Sequence, residues 1–169
     1  MAARAELDRA VEKGPFDRSV RLTRAAVAAD QNDWRTARSD LIAIVDVFPG
    51  DSEARQKLVG VLLELGKDDE AAAAVGDTLR VAPNRLPAVA ADLLALADRL
   101  AKRFPDSPST PATWLRRALV AASAATAGPA RKAELEAAVK QAAVATDDAA
   151  RLAGLRMCLE RLSQGAGKK

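Results

Sequence analysis

Histidine is absent from this 169-residue chain, and cysteine occurs once, at Cys158. The first absence removes the side chain that most often serves as general base and as metal ligand near neutral pH. The second excludes an intramolecular disulfide and any cysteine cluster able to hold zinc. On an Ala- and Leu-rich stretch with no histidine partner, Cys158 reads as a small core residue. Aromatics make up only 3 % and tyrosine is missing. No apolar run approaches the roughly 18 residues of a transmembrane helix. Residues 1–13 mix Arg, Glu, Asp and Lys without the apolar stretch of a secretory signal, so a cytoplasmic location is expected. The only Gly-x-Gly, at 165–167, opens no helix and is no phosphate loop. Paired carboxylates occur at Asp68-Asp69 and Asp147-Asp148, where helix starts want negative charge. No catalytic residue, cofactor or metal is expected, and the chain does not read as an enzyme.

What is present is helix. Hydrophobic residues are 49 %, with alanine dominant, and alanine has the best intrinsic helix propensity. From Asp51 to Arg85 the chain reads helix, tight turn, helix, stop. Ala54, Leu58, Val61, Leu62 and Leu65 share one helical face. Gly66 follows, suited to a left-handed C-cap. Asp68, Asp69 and Glu70 open a second helix, with Ala71, Ala74, Val75, Thr78, Leu79 and Ala82 on one face, and Pro83-Asn84 stops it. Thirty-four residues earlier the pattern recurs, because Gly66 falls on Asn32, Ala71 on Ala37, Val75 on Leu41, Leu79 on Val45 and Pro83 on Pro49.

Two units of this period, with Gly or Asn between the helices and Pro after the second, resemble the tetratricopeptide repeat family. The residues that carry the resemblance are Leu58, Gly66, Glu70, Ala71 and Pro83-Asn84 in one unit, and Trp34, Ala37 and Pro49 in the other. The family's first-helix Trp is replaced by Arg21 and Arg55. The resemblance covers residues 18–85. It implies an all-α fold, a right-handed α-solenoid of antiparallel helical hairpins with about seven to eight helices, in a single domain over 1–169.

The remaining pattern extends that reading. A short polar helix is expected over 2–13, and repeat units over about 18–51 and 52–85, with helices at 16–30 and 34–48 in the first. Asp33 reads as the N-cap of the second of these. Degenerate helices should fill 86–164, at 85–103, 111–127 and 129–144 and in a last one ending at Gly165, with a disordered tail at 165–169. The 85–103 helix is apolar over a wide arc, which calls for cover on more than one side. Thr110 and Thr146 read as N-caps, with Pro111 at a first helical position. Gly128 to Ala133 repeats the offset of Gly66 to Ala71, suggesting a degenerate third unit. Leu152, Leu155, Leu159 and Leu162 form a seam on the last helix.

The resemblance places a partner-binding groove on the first helix of each unit. The matching positions are Leu22, Ala26 and Ala29, then Glu53, Gln56, Gly60, Leu63 and Glu64. They lack the Lys, Arg and Asn of the family's carboxylate-gripping members. A floor of Ala and Gly with occasional Leu suits close approach of a helix. Trp114 is a second candidate anchor, and Trp34 reads as core because it sits on an apolar stripe. The leading expectation is a protein–protein interaction module or scaffold that binds a peptide or helix within a multiprotein assembly, with no membrane role. A chaperone for secreted or assembly-prone clients is the first alternative, and homo-oligomerisation is open. Residues 111–169 hold 10 Lys/Arg against 5 Asp/Glu. That raises weak RNA or anionic-surface binding through Arg116, Arg117, Arg131, Lys132, Lys140, Arg151, Arg156 and Arg161. Nucleic acid is disfavoured, because Arg151, Arg156 and Arg161 point three ways around one helix.

Overall fold

The computed structural model describes residues 2–106 and 109–164. Nine α-helices occur among them, against the seven to eight expected: α1 Ala2–Lys13, α2 Arg18–Asp30, α3 Trp34–Val47, α4 Ser52–Glu64, α5 Asp68–Val81, α6 Leu86–Arg103, α7 Ser109–Ala125, α8 Pro129–Val144 and α9 Asp148–Gln164. A 3-10 turn at Pro83–Arg85 precedes α6, and no strand occurs among the described residues. The fold is all-α, as the periodicity predicts. The expected tail at 165–169, with Gly165, lies outside the described residues.

Aspartates set several helix starts. Asp17 accepts from the Val20 N–H, Asp33 from Thr36, Asp51 from Ala54 and Asp147 from Ala150, at 3.1, 3.2, 3.0 and 2.7 Å. Each carboxylate satisfies one of the amides left unpaired at a helix N-terminus. Asp17 explains why α2 begins later than 16. Asp147, not Thr146, caps α9. Thr110 is no cap either, because α7 begins at Ser109 and Pro111 lies in its first turn, where a missing N–H costs nothing.

The two hairpin turns share one geometry. Asn32 and Gly66 have φ of 58° and 69°. In the first turn the Asn32 N–H donates to the Ala29 carbonyl and the Asp33 N–H to Ala28, at 3.0 and 2.8 Å. In the second the Gly66 N–H donates to Leu63 and the Lys67 N–H to Leu62, again at 3.0 and 2.8 Å. This is a Schellman ending repeated at the 34-residue spacing. Gly128 differs, with φ of −80° as the residue before α8, and Ala133 is exposed where Ala37 and Ala71 are fully buried. The α7–α8 pair is therefore no third copy of the unit. Gly66→Ala should lower stability by about 1–2 kcal/mol, because only glycine reaches this φ freely. Gly50→Ala, where no atom lies within 4 Å of a new Cβ, should be neutral or slightly stabilising. Urea unfolding of the two variants checks the contrast.

The chain divides into two compact units, Met1–Ala74 and Val75–Lys169, with the division inside α5. The second 34-residue unit is thus not contained in either. In the first, α1 packs on α2, α2 on α3 and α3 on α4. Ala25, Ala28, Ala37, Leu41, Ile44, Ala54 and Leu58 fill the space between them. Alanine at these positions lets the helix backbones approach closely. In the second unit α6 packs against both α7 and α9, which gives its wide apolar arc the cover on two sides it needs. Helix α9 also packs on α7 and α8. Leu155, Leu159 and Leu162 are buried along it, and Leu152 is half-buried.

Candidate functional site

The expected groove residues all lie in the first unit, on α2 and α4. The groundwork is a cluster of ion pairs that ties these helices to their neighbours. Asp40 of α3 is fully buried and accepts from Arg21 Nη1 at 2.6 Å. It also accepts a bidentate pair from Arg24, at 2.7 and 2.8 Å. Arg24 reaches on to Asp8 of α1 at 2.9 Å. The carboxylates, Asp40 above all, hold the Arg24 guanidinium more firmly protonated than usual. A buried carboxylate is tolerable here because two guanidinium groups surround it.

Other pairs fasten one helix to the next. Arg18 of α2 binds Asp51, the N-cap of α4, and reaches Glu53 at 3.0 Å. The Arg18 hydrogen bond holds the Asp51 carboxyl below the usual carboxylate range. Arg4 of α1 binds Asp33 at 2.6 Å, and Arg38 of α3 binds Glu70 at 2.9 Å.

The arginines that replace the family's tryptophan have a definite job. Arg55 is buried and its Nε donates to the Pro49 carbonyl at 2.6 Å. Arg21 Nε makes the same bond to the Pro15 carbonyl. Each guanidinium closes the turn that enters its helix, 34 residues apart. The signal was legible as Pro and Arg six residues apart at 15–21 and 49–55, but only the tertiary structure shows the bond.

On this frame Ala26, Glu53 and Gln56 are exposed, and Leu22, Ala29, Leu63 and Glu64 are half-buried. Gly60 is buried and offers no surface. Beside Glu53 lies an open depression of about 730 Å³, lined by Arg18, Val47, Phe48, Pro49, Asp51 and Glu53. Val47 and Phe48 are both 42 % exposed. The sequence reading missed this depression, because Phe48 ends the helix expected over 34–48 and reads there as core, whereas it is the residue that follows α3. Trp114 is the opposite case, only 1 % exposed, so it is a core residue of the second unit and cannot anchor a partner at the surface. Trp34 is half-buried.

Residues 28–97 match the family model described as tetratricopeptide repeat. That segment, less than half of the chain, is tetratricopeptide repeat. The matched segment covers both turns with left-handed residues and runs into α6, extending beyond residue 85. No curated protein and no solved structure matches the chain. Tetratricopeptide repeats generally mediate protein–protein interactions, and the family is a non-catalytic scaffold.

No helix among the described residues of this repeat protein is long and apolar enough to cross a membrane. Among the same residues no cluster of His, Cys, Asp or Glu is placed to hold a metal ion. Cys158 is fully buried, and burial pushes its thiol up. Of the basic residues in the second unit, Arg151 pairs with Asp148, Arg156 with Asp98 and Arg161 with Glu134. Those pairings reduce the charge available to a phosphate backbone.

Proposed function

We propose that this repeat protein is an interaction module whose first unit docks a helix or peptide of an assembly partner on the face of α2 and α4. The observation that supports this reading is the pair of turns of one geometry at 34-residue spacing, with small Ala26 exposed on the first helix of one unit and Gln56 exposed on that of the next. Ala26 and Ala29 let a partner backbone come close, and Leu22 and Leu63 supply apolar contact. Gln56 and Glu53 give a polar rim. The depression walled by Phe48 and Val47 would take an apolar side chain at one end of that face.

The test is crosslinking in lysate followed by mass spectrometry, with the double variant Ala26→Arg, Leu63→Glu beside the unaltered protein. Crosslinks from α2 and α4 to a specific partner should fall at least tenfold in the variant, while its helical circular dichroism is retained. Crosslinks of equal yield in both proteins would remove the face from consideration.

A further inference from the structure

Helix α8 carries apolar residues on two opposite sides. Leu135, Ala138 and Ala142 are buried, and α8 packs within its unit on α7 and α9. At roughly 100° per residue, Ala133, Ala137 and Val144 share the side facing away from those three. All three are exposed, Val144 by 81 %. One apolar side is what a surface helix needs to dock on its own core, and a second one calls for cover from elsewhere. The two sides cancel in the periodicity, so α8 shows no single apolar stripe.

The charges beside the outer side select what covers it. Glu136 and Lys140 stand one turn apart on the same flank, both exposed, and neither is ion-paired among the described residues. An acid followed four residues later by a base is its own complement when the helix is turned end for end. A covering segment of any other kind has to bring the reverse of this pattern, whereas a second copy of the chain already carries it. We propose that α8 pairs with α8 of a second copy, antiparallel, about a two-fold axis level with residues 137 and 138. Ala137 then meets its own counterpart at the axis, where two methyl groups let the backbones come close. Val144 of each copy lies over Ala133 of the other, a large side chain above a small one. Glu136 of each copy reaches Lys140 of the other, so the charge pair is made twice. The contact is isologous and closes at two copies, and it sets the two helix dipoles head to tail.

Sedimentation equilibrium of the full chain, from about 1 μM to 1 mM, tests the pairing. A reversible monomer–dimer equilibrium is expected. Glu136→Lys alone and Lys140→Glu alone should each weaken the dimer at least tenfold, because like charges then meet at both ends of the contact. Mixed one to one, the two variants should associate again, since the lysines of one meet the glutamates of the other. Salt at about 0.15 M screens attraction between surfaces that do not touch. Both substitutions are at exposed, unpaired positions, so helical circular dichroism and the unfolding midpoint should stay nearly unchanged. A monomer at every concentration overturns the proposal. So does a dimer indifferent to Glu136→Lys, which would place the contact on another face, or a mixture of the two variants that stays apart.

Discussion

Asp40→Ala lowers the unfolding midpoint by on the order of 10 °C. The substitution removes little apolar packing. Its cost comes from Arg21 and Arg24, which lose their shared acceptor while remaining only about one-sixth exposed, at 16 % and 17 %. Breaking a buried pair by deleting one partner costs about 3–5 kcal/mol, and in a chain of this size each kcal/mol moves the midpoint by about 2–4 °C. Asp8 stays as an acceptor for Arg24, but it is largely exposed and holds only one of that guanidinium's three bonds. Replacing the whole group with apolar residues, as in Asp40→Leu, Arg21→Met, Arg24→Leu, should recover most of the loss, since a filled apolar cluster can match a buried ion network. Differential scanning calorimetry of the single and triple variants decides the matter. A single variant within 2 °C of the unaltered protein, on the scale of about 2–4 °C per kcal/mol, would show that the arginines reach water instead.

Leu155→Ala is the second large effect, expected at about 2–5 kcal/mol. Leu155 is fully buried on α9, the helix that reaches back to α6 as well as to α7 and α8. Its side chain therefore fills space inside the unit, and truncation to a methyl leaves a cavity there. Met157 stands two residues away and is 60 % exposed. Met157→Ala should stay within about 0.5 kcal/mol. Urea denaturation of the pair measures the difference. Equal midpoints would mean that α9 frays and does not belong to the core of its unit.

Much of the helical plan was legible because its signals are local. Breaks at Gly14-Pro15 and Gly128 placed the end of α1 and the start of α8 where they are observed, and the 34-residue echo put Asn32 and Gly66 in left-handed turns. The errors came where one local signal had two readings. Thr146 and Asp147 are adjacent cap formers, and the aspartate won because a carboxylate both accepts the amide and meets the helix dipole. Trp114 follows a proline-rich stretch that suggests a surface, yet it lies on the same face as Leu115 and Ala118 and is buried with them. Gly128 looked like the turn of a third unit, but a glycine before a helix start needs no left-handed backbone.

The candidate site was legible only in outline. The family pattern named α2 and α4 and the small residues on them, since those depend on period alone. The depression at Phe48 and the burial of Gly60 depend on which neighbours cover each position.

Caps and left-handed turns are settled by residues within a helical turn of one another, so the order of amino acids alone determined an all-helical chain, its hairpin turns and their shared spacing. Whether Asp40 finds two arginines and whether α9 returns to α6 depend on contacts between residues 15 to 60 positions apart. Such contacts form only when several helices pack at once, and so the tertiary structure alone decided them.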